Sequence, residues 1–462
     1  MLRMVAHISL FNMLVLGLTT LTSPVVARLL GPSGRGQLAI AMLWPIVLSS
    51  IWLFGADVTL GRMAARWPAA ALTLRRLAVR LSLVLGLGAI STGCFAIPLV
   101  LLADEPPLWM AAFIVLAQVP CQLFVSFAVA IALSTGNLWG FNVPRFGFSA
   151  AYLALAMTLW IMDLGEVRYV ALSFSLASAL TTAVAFLMVR AQPQAATETT
   201  GDVRADSVAA SQTGPEAVPT FSVGSTLRSS VGFGGAALLE AGSTHVPMAL
   251  LSFLVSPTEI GFYAVSVTAA SVQEAFGSAV GKALFTQVAS GADEGTQVAT
   301  RLRYTLLLYL VLALGMMVVI PPLMPLVFGG EYAASSHVVR WMIPAASLLS
   351  IARVYNETLK GAGQARPAMV ARCVGPLVLT AIAFILVPRW GVVGMVAAVA
   401  GGACSQLVLF VRSTASHFAV PVSQVWIVRV RDVQVIALTI HALVQRFGQR
   451  FGQRSGDDTR LQ

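Results

Sequence analysis

The chain has 462 residues, of which 57% are hydrophobic and 10% charged, with a formal net charge of +10. A soluble domain carries about 25% charged residues, so too little polar material is present to cover a water-facing surface. This excludes an ordinary soluble enzyme or binding module and indicates an all-α, polytopic membrane protein.

A helix crossing about 30 Å of hydrocarbon needs roughly 20 apolar residues, and the chain supplies such runs from its start. Met4 to Ala27 is too long for the apolar region of a signal peptide and reads as the first span. The hinge "LLGPSGRGQLA" (29–39) leads into a second span over 36–60. Further spans fall at 77–103, 108–134, 139–162 and 169–189. The segment 190–227, rich in Ala, Thr, Ser, Pro and Gly without apolar periodicity, reads as a disordered linker. Six more spans follow at 228–255, 259–281, 303–328, 334–359, 366–388 and 390–411. The expected organisation is an N-terminal six-helix lobe (1–189), the linker (190–227), a C-terminal six-helix lobe (228–414) and a basic tail (415–462). In the tail, "QRFGQRFGQRSG" (445–456) places Arg446, Arg450 and Arg454 on one helical face, the pattern of a helix lying on anionic lipid.

Basic residues in short loops orient the bundle. With the N-terminus in the cytoplasm, the inner loops collect Arg62, Arg66, Arg75, Arg76, Arg80, Lys282, Arg301, Arg303 and others. The outer loops hold only Arg28, Arg35, Arg168 and Arg389. Both termini are thus expected in the cytoplasm of a cell whose plasma membrane holds the protein. The positive charge is explained by topology, and no base-reading motif accompanies it, so no nucleic-acid partner is expected.

The two halves repeat. Leu29, Pro32, Gly36 and Ala39 recur in the same order and spacing as Leu254, Pro257, Gly261 and Ala264. Gly136, Val143 and Arg145 in "STGNLWGFNVPRF" (134–146) match Gly363, Val370 and Arg372 in "GAGQARPAMVARC" (361–373). Both pairs fall in equivalent loops. Parallel repeats of six helices suit alternating access about a shared cavity, with Pro24, Pro32, Pro247 and Pro257 as points where helices at the lobe interface bend. The alternatives of a channel or scaffold lack a filter motif or charged ring. No phosphate-binding GxxxxGK[ST] loop occurs, so ATP hydrolysis is not built in. The four cysteines, Cys94, Cys121, Cys373 and Cys404, show no paired spacing, which gives neither a disulfide framework nor a metal site. No cofactor and no enzymatic activity are expected.

Ionisable residues inside spans are costly and tend to face a cavity or a partner. Glu240 in the seventh span and Glu274 in the eighth lie near one depth, where a proton or sodium ion could be bound; structural hydrogen bonding is the competing account. His245 lies about one turn from Glu240, and Asp57 and Asn12 are weaker candidates in the first lobe. Arg353 and Glu357 stand four residues apart and are expected to pair on one helix face, followed by Lys360. Arg353 is alternatively a bidentate partner for a lipid phosphate. The repeat-matched Arg145 and Arg372 are placed to attract a headgroup at the inner mouth, or to anchor the helices there.

The stretches "ARLLGPSGRGQLAIAMLWP" (27–45), "STGNLWGFNVPRF" (134–146), "LLSFLVSPTEIGFYAVSVTAAS" (250–271), "LVFGGEYAAS" (326–335) and "RWGVVGMVAAVAG" (389–401) resemble the multidrug/oligosaccharidyl-lipid/polysaccharide (MOP) exporter superfamily. The branch they resemble is that of prokaryotic polysaccharide-export and O-antigen-type flippases. The resemblance implies about twelve helices in two lobes that move an undecaprenyl-type lipid-linked oligosaccharide across the plasma membrane for cell-surface polysaccharide assembly. Where members near that branch often carry Arg-x-Asp in the seventh helix, this chain has His245-Val246-Pro247. A cation-coupled multidrug antiporter and a peptidoglycan-precursor flippase are the alternatives within the superfamily. A membrane-embedded glycan polymerase or ligase would need a large outer loop, and the outer loops here are short.

Overall fold

A computed structural model describes residues 2–67, 70–100, 106–190, 221–289 and 295–427, and every regular element within them is a helix. In chain order these are α1 (Leu2–Leu53), α2 (Ala56–Arg66), α3 (Ala71–Val100), α4 (Pro106–Ala117), α5 (Val119–Ser134), α6 (Leu138–Ile161) and α7 (Val167–Arg190). From residue 221 onward come α8 (Val223–Leu254), α9 (Pro257–Ala270), α10 (Val272–Ala289), α11 (Gly295–Phe328), α12 (Ser335–Gly361), α13 (Ala365–His417) and the short α14 (Val422–Trp426). A single 3-10 turn, Gly330–Tyr332, joins α11 to α12.

Among the described residues each of the twelve predicted spans falls on helix, but not one to one. α1 and α13 each run through two of them. Their apolar stretches, Leu10–Leu53 and Arg366–His417, contain 44 and 52 residues. At about 1.5 Å per residue each is roughly twice the length needed to cross the hydrocarbon. Each bends at one glycine: Gly31 (φ 66°, ψ 177°) in α1 and Gly391 (φ 54°, ψ −133°) in α13. A positive φ is accessible to glycine at no steric cost, so both bends fall there. Pro32 follows the first bend directly and starts the next helical limb, where its missing N–H is not needed.

Three predicted spans are broken instead. The second ends at Phe54 and Gly55, both with positive φ (38° and 72°), so that 36–60 is not one helix. Beyond the break α2 is amphipathic: Ala56, Leu60 and Ala64 are buried while Arg62 and Arg66 are exposed. The fourth divides into α4 and α5 at Gln118, and the eighth divides into α9 and α10 at Ser271. α9 starts with a full capping box, in which Ser256 and Glu259 satisfy each other's backbone N–H groups and Pro257 occupies the first turn.

A third repeat pair becomes visible once the helices are placed. Gly165, Val167, Val170 and Ala171 at the start of α7 match Gly391, Val393, Val396 and Ala397 at the second limb of α13. A Cβ on Gly165 would lie 2.7 Å from the Leu29 carbonyl oxygen, and one on Gly391 would lie 2.6 Å from Glu259 Oε1. In both halves, therefore, the turn before the sixth span packs against the hinge between the first and second.

The segment after the last span begins as a strap. Val425 is fully buried, Tyr355 Oη donates to the Val425 carbonyl at 3.1 Å, and Arg303 Nη1 donates to the Gln424 carbonyl at 2.5 Å. This ties α14 to α11 and α12 and joins it to a cluster containing Leu302, Tyr309 and Phe410. The surface helix expected at 445–456 lies outside the described residues.

Candidate functional site

A cavity of about 230 Å³ lies within the C-terminal half, walled by α8, α9, α10, α12 and α13. Apolar side chains such as Val267, Met342, Leu349 and Leu379 form most of the wall. Into it project Ser271, Glu274, Arg353, Asn356, Arg372 and Gln406. Its defining feature is an ion pair between two helices: Arg353 Nη1 lies 3.1 Å from Glu274 Oε2, and the two side chains are 49% and 39% exposed.

This pair replaces the expected one. Glu357, four residues after Arg353, instead accepts from Lys360 Nζ at 2.7 Å and from Asn356 Nδ2 at 3.3 Å. Partly exposed ion pairs contribute about 0–1 kcal/mol, so one helical spacing competes weakly with whatever carboxylate a neighbouring helix brings close. α10 brings Glu274. Its position is fixed by the residue before it, the fully buried Gln273. Gln273 Nε2 donates to the Ile343 carbonyl at 2.9 Å, and its Oε1 accepts from Ser347 Oγ at 2.6 Å. Tyr309 Oη donates to the Gln273 carbonyl at 3.1 Å. The break at Ser271 starts a new helix, leaving Glu274 in its first turn, where unpaired N–H groups favour a carboxylate.

The other predicted residues scatter. Arg372 lines the same cavity. Its repeat mate Arg145 does not: its Nη1 donates to Asn12 Oδ1 at 2.9 Å, and its guanidinium lies 4.9 Å from the centre of the Phe141 ring, all within the N-terminal half. Asp57 lines a separate groove of about 570 Å³ between α2 and α5, with Arg62, Ser126 and Ser134. His245 is half-buried on α8, next to Thr244, which lines the cavity. Glu240 is on α8, and its side chain lies outside the described residues. Sequence reasoning passed over Asn356, Gln406 and Gln273, although an amide inside a span is the same kind of signal as a carboxylate.

The hinge residues meet each other. A Cβ on Gly36 would overlap the Pro257 carbonyl, and a Cβ on Gly261 would overlap the Pro32 carbonyl. The two copies of the hinge motif thus pack reciprocally. Around them Arg28 Nε and Nη2 donate to the carbonyls of Val327 and Leu326 at 3.0 and 2.5 Å, capping the end of α11. Tyr332 Oη donates to the Ala27 carbonyl at 3.2 Å. This end of the bundle is closed between the halves.

No protein-family model matches the sequence, and no curated protein sequence matches it. Solved structures do match the fold. The lipid II flippase MurJ in an inward closed conformation superposes with a TM-score of 0.68 at 12% identity, covering 93% of this chain and 92% of that one. An inward-facing multidrug resistance MATE transporter of the MOP superfamily gives 0.67 at 14% identity, covering 87% of this chain and 94% of that one. An outward-facing MATE structure gives 0.60 at 14% identity, covering 90% and 96%. The chain shares the fold of these MurJ and MATE structures.

Proposed function

We propose that this chain is a flippase of the MOP superfamily that carries a lipid-linked oligosaccharide across the plasma membrane for cell-surface polysaccharide assembly. Its two lobes, 1–189 and 228–414, joined by the cytoplasmic linker 190–227, rock about the hinge end. Both termini lie in the cytoplasm. The observation that carries the reading is the cavity of the C-terminal half, an apolar chamber that holds Arg353 and Arg372 beside Glu274. Two guanidinium groups in an apolar wall suit the phosphates of a lipid carrier, which accept paired N–H donors. They do not suit an organic cation. In this reading the hinge end, held by Gly36 on Pro257 and Gly261 on Pro32, is the outer gate.

A peptidoglycan-precursor substrate is the second reading, favoured by the likeness to a lipid II flippase. It uses the same phosphate chemistry and differs in the glycan. A cell lacking the protein tests the two together. Lipid-linked oligosaccharide should accumulate on the cytoplasmic leaflet, and the parent chain should restore export. Accumulation of peptidoglycan precursor instead would select the second reading. Unchanged pools of both, with lost efflux of cationic drugs, would oppose both.

A further inference from the structure

Asn356 lies inside α12, three residues after Arg353, so the two side chains share a helix face. Both line the cavity of the C-terminal half. Asn356 is 4% exposed, and only one end of its amide is engaged. Nδ2 donates to Glu357 Oε1 at 3.3 Å, and the same oxygen accepts from Lys360 Nζ at 2.7 Å. Oδ1 has no hydrogen-bond partner among the described residues. The two ends of the amide cannot exchange places, because a carboxylate accepts and would repel Oδ1. Gly281 of α10 leaves the space that Glu357 occupies, since a Cβ there would stand 3.3 Å from Glu357 Cγ. Lys360, Glu357 and Asn356 thus form a chain that fixes the amide and leaves its acceptor unused.

A buried acceptor without a donor is costly, and an asparagine kept for packing alone would bond at both ends. Leucine has nearly the same volume and would fill the position without that cost. The unused oxygen is therefore suited to a donor that arrives with a ligand. A phosphate does not supply one, because ionised phosphate oxygens accept. A metal cation is disfavoured by the positive charge of Arg353 one turn away. In a phosphate-linked glycan, the ring substituent nearest the phosphate sits on the carbon next to the anomeric carbon. Helix positions three apart have Cβ atoms about 5–6 Å from each other, close enough for one glycosyl phosphate to reach both side chains.

Resting on the headgroup reading of the cavity, we infer that Asn356 selects the sugar attached to the phosphate. Its Oδ1 accepts a hydrogen bond from the hydroxyl or acetamido N–H on the carbon next to the anomeric carbon. Arg353 and Arg372 hold the phosphates whatever glycan follows. Asn356 adds the requirement that the first sugar carry a donor at that carbon. A sugar lacking it leaves Oδ1 unpaired in the complex, and such a site discriminates against the deficient analogue.

The test uses the purified full chain in detergent and four probes. They are citronellyl pyrophosphate alone and the same pyrophosphate carrying glucose, 2-acetamido-2-deoxyglucose or 2-deoxyglucose. Titration calorimetry gives each affinity. The parent should bind at least one of the two donor-bearing sugars about tenfold more tightly than the 2-deoxy sugar, and the tighter of the two identifies the donor. Asn356→Leu should bind the three sugars within about twofold of one another and melt no lower than the parent. Asn356→Ala, which removes the acceptor without filling its place, should lose the same discrimination and guards against a packing fault in the leucine variant. A parent-sized preference in both Asn356 variants, or a parent that binds the three sugars alike, would overturn the inference. Weaker binding of all four probes by Arg353→Gln and Arg372→Gln would in that case leave the headgroup reading standing. Parent-like binding of citronellyl pyrophosphate by both arginine variants would overturn the headgroup reading itself.

Discussion

Gly36 and Gly261 hold each other's hinges: each leaves room, by lacking a Cβ, for the carbonyl of the proline that begins the other's helical limb. The two positions are equivalent in the internal repeat, so the contact sits on the axis relating the halves. Adding a methyl group at either position pushes backbone against backbone, which cannot be relieved by a side-chain rotation. Gly36→Ala should therefore open this end and cost about 1–3 kcal/mol of stability, as overpacking does. Spin labels at the exposed Ser33 and Ser256 should show a short distance in the parent and a longer, broader one in Gly36→Ala. An unchanged distribution would remove the contact as the closure.

Arg28 joins the same closure through two bonds to the last carbonyls of α11. These carbonyls have no partner within the helix, and a cation there is favoured by both hydrogen bonding and the helix dipole. Arg28→Ala should lower stability by about 1 kcal/mol, given its exposure, and lengthen the Ser33–Ser256 distance. Arg28→Lys should recover part of each effect. Equal behaviour of the alanine and lysine variants would show that charge at this point is irrelevant.

Gln273 is a lock rather than a ligand. Its amide bridges α10 to the Ile343 carbonyl and the Ser347 hydroxyl in a buried setting. Gln273→Leu removes both bonds while the Ser347 hydroxyl keeps its bond to the Ile343 carbonyl at 3.0 Å, so the loss is about 1–3 kcal/mol in all. A melting temperature several degrees lower is expected. A parent-like melting temperature would mean that water replaces the amide.

Orientation is tested by labelling single cysteines after the four native ones are replaced. Leu72→Cys, at the start of α3, should react only from the cytoplasm, and Ser33→Cys only from outside. The reverse pattern would invert the sidedness of the hinge closure.

Much of the architecture was legible because apolar run length and the positions of Pro and Gly are local signals. The bend at Gly31 and the cap on α9 both follow from residues within one turn, "GP" and "SPTE". The break at Gln118 had a local sign in Pro120, which occupies the first turn of α5 and offers no N–H to the preceding turn. The break at Ser271 was not legible, because nothing local forbids a continuous helix there, and it lies next to the Gln273 bridge to α12. The Arg353 partner was misassigned for the same reason. A spacing of four residues says that two side chains can meet, and only the packing of α10 on α12 decides that Glu274 comes first. Repeat matching paired Arg145 with Arg372, yet Arg372 lines the cavity of the C-terminal half while Arg145 donates to Asn12 within the other half.

The most direct test of the central claim is flipping of a fluorescent lipid-linked oligosaccharide in proteoliposomes under an imposed proton gradient. The parent should move the lipid, and faster with the gradient than without. Arg353→Gln should lose flipping at normal reconstitution levels, and Glu274→Gln should lose the response to the gradient. Parent-like, gradient-dependent flipping by both variants would contradict the account, as would a parent chain that leaves the labelled lipid where it started.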